Sequence, residues 1–365
     1  MSLSNISGFP RIGPQRELKV ITERYWRGEA SQDELEQAGR EIRHANWRFM
    51  QESGIDLIPS NDFSYYDQVL DTIALTGAVP ARYGHPGGPV DLDTYFAMAR
   101  GRQDGGVDVT AMEMTKWFDT NYHYLVPELG PDTDFALSSE KPFAEHAEAR
   151  SLGVETVPVL VGPISFLLLS KPADGVAEDF DPLSLLDRLL PVYEEALARL
   201  GGAEAAWVQL DEPVLVQDRT DAELEAFRTA YERLGAAPER PRLVVKTYFD
   251  HVGAALPLLG RLPVEGIGLD FHRGGHNHQL IHDEGGFETK TLFAGVVDGR
   301  NIWINDLGAS LDLLEHLAGH AGDLVVSTSC SLQHSPIDLD AETDLDAEIR
   351  SWMAFARQKV AEVAT

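Results

Sequence analysis

Apolar positions along the chain recur with two spacings, and the two alternate. Leu35, Ala38, Ile42, Ala45 and Phe49 fall at helical spacing behind Ser31-Gln32-Asp33-Glu34, which reads as a capping box, and Gly54 supplies the stop. Leu224, Phe227, Tyr231 and Leu234 share one face of a helix predicted over 221–234. Other helices are predicted over 17–27, 185–200 and 311–318. A last one, over 346–363, has Ile349, Met353, Ala356 and Val360 on one side. Nine strand-like runs lie between: 4–9, 55–59, 118–124, 157–161, 207–210, 243–248, 266–271, 292–297 and 324–329. This alternation predicts βαβ units and a parallel sheet.

Polar residues recur just after the strands: Asn61-Asp62, Asn121-Tyr122-His123, Asp211-Glu212, Lys246-Thr247-Tyr248, Asp270, Asp298 and Cys330. In a (β/α)8 barrel these ends converge on one mouth. The predicted fold is therefore α/β, a TIM-type barrel, with a doubly wound open sheet as the rival. Nine runs are one too many for it, so one is an extension or a hairpin. Stretches 76–115 and 125–155 are long connections rich in Gly, Pro and acidic residues, with a turn over 101–106, of the kind that forms lids or partner surfaces. The barrel is expected to occupy 1–345, and 346–365 a C-terminal connecting helix.

The chain has 365 residues, a net charge of -29 and a pI near 4.6. Such acidity argues against nucleic acid or an anionic membrane as partner, since both call for a broad basic surface. The longest apolar run, near 157–170, is broken by Pro158, Gly162 and Pro163. The start lacks a basic segment followed by an apolar one, so no leader is expected. One cysteine fits a reducing cytoplasm. No GxGxxG motif follows a strand and no Walker loop is present, so no nucleotide cofactor is expected.

Against this acidity, one stretch is basic. Arg11, Arg16, Lys19, Arg24 and Arg27 face only Glu17 and Glu23, at a glycine- and proline-shaped junction into a helix. Arg24 and Arg27 read as a solvated helix face. Cations in a helix's first turn oppose its dipole, so Arg16 and Lys19 read as an anion clamp. Arginine is the common cation here, 23 against seven lysines, which draws attention to Lys19, Lys116 and Lys246. Lys116 sits in 114–124, dense in aromatic and polar groups. That segment reads as lining for a flat ring with a carboxylated tail, or as an aromatic strand with a snorkelling lysine.

Three other groups carry weaker signals. Asp211-Glu212 ends a buried strand. Adjacent residues of a strand point opposite ways, so the pair serves either a barrel hydrolase or strand-end hydrogen bonding. His272, His276, His278 and His282 crowd a glycine-rich loop. A zinc site wants three or four fixed donors, so no metal is expected there. Cys330 reads as a small buried hydrophobe rather than a nucleophile paired with His334.

Eight segments together resemble the N-terminal half of cobalamin-independent methionine synthase. They are Gly8-Phe9-Pro10-Arg11-Ile12-Gly13, Arg16-Glu17-Leu18-Lys19, 56–63, 114–124, 158–166, 209–215, 244–248 and 327–332. The resemblance covers essentially the whole chain. It implies two (β/α)8 barrels in the complete enzyme, which is a methyltransferase passing a methyl group from 5-methyltetrahydropteroyltri-L-glutamate to homocysteine. The family's folate-binding positions fall on Arg16, Glu17, Leu18, Lys19 and Lys116. The family's zinc ligands lie in its C-terminal barrel, beyond Thr365. The resemblance thus implies no catalytic residue, metal or cofactor in this chain, and no methyl transfer by it alone. Its partners would be the folate triglutamate and the catalytic barrel. A stand-alone folate-binding or scaffold barrel, and a hydrolase using Asp211 or Glu212, are the alternatives.

Overall fold

The protein is described by a computed structural model covering residues 2–104 and 107–365. Gly105 and Gly106, the tip of the turn predicted over 101–106, lie outside the described residues. Eight parallel strands form the frame: β1 (Leu3–Asn5), β2 (Ile58–Ser60), β3 (Thr156–Val161), β4 (Trp207–Asp211), β5 (Arg242–Lys246), β6 (Gly266–Asp270), β7 (Phe287–Val297) and β8 (Ala321–Thr328). They pair in the order β1-β8-β7-β6-β5-β4-β3-β2. Asn5 bridges Leu57 in parallel, and the Leu57 N–H donates to Ser4 O at 2.9 Å, so the two ends of the sheet meet. The closed barrel is thus observed, not the open sheet.

The surplus strand of the sequence reading is 118–124. Its residues belong to a hairpin outside the barrel, in which Met114–Lys116 pairs antiparallel with His123–Leu125. Two helices from the basic junction precede β2: α1 (Glu17–Trp26) and α2 (Gln32–Glu52). The capping box of α2 is present: Glu34 N–H donates to Ser31 Oγ at 3.2 Å, and Ser31 N–H to the Glu34 carboxylate at 2.7 Å. The predicted last helix is two helices, Ala347–Arg350 and Ala356–Ala364. Between them the backbone turns aside to pair with another loop: Ile304 N–H donates to Trp352 O and Ala354 N–H to Ile302 O, both at 2.9 Å. The second piece packs on β1, β7 and β8 and buries Lys359, Val360 and Val363. The predicted stripe holds there and fails at Ile349, which faces solvent.

The barrel interior is layered. Val157, Trp207, Val244, Phe293 and Val325 fill its lower part, with Trp207 and Phe293 edge to face at 5.3 Å. Gly266 makes room for them: a Cβ there would stand 2.9 Å from Phe293 and 3.0 Å from Trp207. Burying each such side chain stabilises the fold by about 1.5–3 kcal/mol. The next layer towards the mouth is polar.

Candidate functional site at the barrel mouth

Lys246 ends β5 and is fully buried on the barrel axis. Its ammonium donates to Asn5 Oδ1 at 2.7 Å, Ser7 Oγ at 2.8 Å and Ser327 Oγ at 2.9 Å. All three ammonium protons are thereby matched. Burial pushes its pKa down, and the nearby Asp211 carboxylate opposes that shift. Gly268 on β6 admits the lysine stem, since a Cβ there would lie 2.5 Å from Lys246 Cγ. Asp211 accepts from Gln209 at 2.8 Å and from the Tyr248 hydroxyl at 3.0 Å. This layer is a stopper, with its hydrogen bonds turned inward.

Above it, the hairpin folds across the mouth. Asp119 at its tip takes the Arg300 guanidinium at 2.7 Å and lies 3.4 Å from Arg273. Burial would raise the Asp119 pKa, but the hydrogen bond and charge of Arg300 outweigh it and hold the carboxyl below its usual range. Phe118 packs on Phe249 at 5.6 Å, and Tyr122 on His334 at 5.3 Å. Burial, with Arg300 beside it, pushes His334 down to about 3, so it is neutral at pH 7. A cleft beside the stopper, lined by Ser7, Asp62, Lys141, Asp211, Tyr248 and His334 among others, has a volume of only about 50 Å³. A pocket for a drug-sized ligand runs to roughly 300–1,000 Å³.

One wall of the cleft is a charged network that the sequence does not announce. The Lys141 ammonium donates to Asn61 Oδ1 at 2.7 Å and lies 3.3 Å from both Asp71 and Glu145. Burial would lower its pKa, but Glu145 and Asp71 outweigh that and hold it above the usual value. Asn61 stands at φ 61, a left-handed conformation that asparagine tolerates, and its N–H donates to Glu145 at 3.0 Å. Asp62 accepts from the Phe9 N–H at 2.8 Å, and burial pushes its pKa up to about 6.

The predicted tail-binding residues lie on the rim. Arg16 precedes α1 at φ 63, exposed, and α1 starts without a side-chain cap. Lys19 is 55% exposed and loosely paired with Glu23 at 3.8 Å. Lys116 is exposed on the hairpin, opposite His123. Arg11 joins the two regions, its guanidinium 5.9 Å from the ring of Tyr122 on the same hairpin. Glu17 turns back and accepts the Gln15 N–H at 2.9 Å. Leu18 is buried with Ile42 and Phe63, so its side chain packs α1 onto α2.

Asp211 and Glu212 do point opposite ways. Glu212 is fully buried outside the cleft, accepting from Ile164 N–H at 3.2 Å, Ser165 N–H at 2.7 Å and the Tyr231 hydroxyl at 2.8 Å. Burial pushes it up to about 7. The pair cannot straddle one scissile bond, which removes the geometric basis of the hydrolase alternative. Cys330 is buried, and burial, with Asp270 and Asp298 nearby, pushes its thiol well up. Of the histidine-rich segment, His272 stands 3.6 Å from Asp298 and His276 packs on His251. His278 and His282 are on a helix rather than in a loop.

Residues 3–322 match the family described as "Cobalamin-independent synthase, N-terminal domain". The chain belongs to that family. As an N-terminal domain of it, the chain is 54% identical over 363 residues to the 5-methyltetrahydropteroyltriglutamate–homocysteine methyltransferase of Streptomyces coelicolor, covering 99% of this chain and 46% of the relative. Identity to the enzyme of the same name from Catharanthus roseus is 53% over 365 residues, 99% of this chain and 47% of that one. The chain thus spans about half the length of the curated relatives it matches. Among solved structures, a B12-independent methionine synthase from Shewanella sp. W3-18-1 superposes with a TM-score of 0.65 at 14% identity, covering 92% of this chain and 88% of that one. That likeness is one of fold.

Proposed function

We propose that this domain holds the folate substrate of a methyltransferase of methionine biosynthesis, while a second barrel activates the sulfur. The donor would be 5-methyltetrahydropteroyltri-L-glutamate and the acceptor homocysteine. The observation that carries this reading is identity above half, across nearly the whole chain, to enzymes named for that reaction and about twice as long. The site geometry supports the division of labour. The axial cleft, about 50 Å³ in volume, is too small for a pterin, which fits a division of labour in which the ring is held at the rim and the sulfur is activated elsewhere. Zinc to hold the homocysteine sulfur as thiolate would likewise sit in the second barrel, in a cytoplasmic enzyme.

Arg16, Lys19 and Lys116 would bind the glutamate tail. A chain of carboxylates needs fixed cations, the more so on a protein whose net charge repels it. The three side chains are exposed and reach into solvent from α1 and from the hairpin. Val20 and Met114, both more than half exposed, lie next to Lys19 and close to Lys116 and offer apolar contact to the aromatic part of the substrate. The test is titration calorimetry with triglutamyl and monoglutamyl methyltetrahydrofolate. Lys19→Ala and Lys116→Ala are each expected to weaken the triglutamyl form about threefold to tenfold and the monoglutamyl form much less. An unchanged preference for the long tail in both variants would remove the clamp.

The second barrel needs a landing surface. Trp303, Ile304, Leu307, Leu311, Ile349 and Trp352 are each between 40% and 59% exposed. The bridge between residues 303 and 353 brings Trp303 and Trp352 onto one patch. The helix Leu307–Ala318 buries only Leu317. Apolar surface of this extent marks an interaction face.

A further inference from the structure

The end of the barrel opposite the hairpin carries a cluster that folate binding does not use. Helices α3 (Asn277–Glu284) and α4 (Leu307–Ala318) both run back towards the amino ends of the strands. His278 and His282 stand one turn apart on α3. His316 and His320 have the same spacing across the end of α4. Residues four apart share a helix face. Strands β6, β7 and β8 are neighbours in the sheet, which sets these two helix ends side by side.

The four rings meet there. Ring centroids are 5.3 Å apart for His278 and His316, 5.4 Å for His282 and His320, and 5.1 Å for His316 and His320. One ring nitrogen from each of His282, His316 and His320 lies within 4.8 Å of the other two. The approach is built into the backbone. Gly285 and Gly286 end α3 at φ 82 and 89, and a Cβ on Gly286 would stand 2.5 Å from the His320 carbonyl oxygen. Among the described residues, none of the four imidazoles has a hydrogen-bond or ion-pair partner in the protein.

Imidazoles so placed repel one another when protonated. The neutral form is the metal ligand. We propose that His282, His316 and His320 bind one zinc-class divalent cation at the closed end of the barrel. Imidazole donors suit zinc, copper and nickel, and zinc accepts three or four of them in a tetrahedron. Zinc–nitrogen bonds of about 2.0–2.1 Å put the donors roughly 3.3 Å apart. Rotation of exposed or half-exposed rings closes the difference from 4.8 Å. The ion would tie α3 to the end of α4, the helix that buries only Leu317. Its place at the amino ends of the strands marks a structural tie, remote from the mouth.

The test uses the untagged full chain, stripped with chelator and titrated with zinc sulfate at pH 7.5 by calorimetry, with metal content by mass spectrometry. The expected result is about one zinc per chain, with binding in the micromolar range or tighter and a rise in melting temperature. His316→Ala and His282→Ala should each weaken binding about tenfold or more and abolish the rise, with circular dichroism unchanged. The variant lacking His282, His316 and His320 should bind none. Absence of saturable binding below roughly 100 µM zinc would overturn the proposal, as would retention of the ion by the triple variant.

Discussion

At the residue scale, the mouth is governed by groups whose hydrogen bonds are already matched. Lys246 is the clearest. Its three acceptors come from β1, the loop after β1, and β8, so one side chain on β5 ties together opposite walls of the barrel. Replacing it with methionine keeps the volume but leaves Asn5, Ser7 and Ser327 short of a donor. Lys246→Met is expected to cost about 2–4 kcal/mol, read as a lower urea midpoint with an unchanged slope. A cost near zero would mean that water takes the place of the ammonium. The sequence drew attention to Lys246 because lysine is scarce here, and could go no further. Its partners are as much as 241 residues away. The same holds for Lys141, Asn61 and Glu145, whose meeting depends on barrel closure. The opposed directions of Asp211 and Glu212 were legible, since they follow from strand geometry alone.

At the scale of elements, local patterns were reliable where local forces decide. The capping box of α2 and the apolar face of Leu224, Phe227, Tyr231 and Leu234 appear as the spacing predicts. The run 118–124 reads as a strand because its aromatics favour one. It lies instead at the turn and return strand of a hairpin, where Phe118 takes φ 53 and its ring leaves for Phe249. The predicted last helix breaks because the 302–304 loop competes for its backbone groups, a long-range contact that no spacing reveals. The hairpin is held to the mouth by rings and by Asp119. Asp119→Ala should therefore leave global stability within about 1 kcal/mol while hastening hydrogen exchange across residues 114–125. Equal protection in variant and parent would show that the aromatic contacts suffice.

For the whole molecule, the balance of surfaces matters most. A chain with net charge -29 keeps copies of itself apart, yet one side carries two half-exposed tryptophans and a helix with a single buried residue. If the second barrel of the proposed function docks on this side, Trp303→Ser with Leu311→Ser should lower affinity for the C-terminal half of a full-length relative at least tenfold, measured by calorimetry, with little change in melting temperature. Unaltered affinity would place the contact elsewhere. The closed barrel itself was legible from alternating elements and from polar strand ends. The small volume of the axial cleft was not, because its walls come from segments as far apart in the chain as Ser7 and His334.

The stopper around Lys246 has a last consequence. With its axis plugged and an arm laid across the rim, the barrel offers a guest a shallow dish rather than a well.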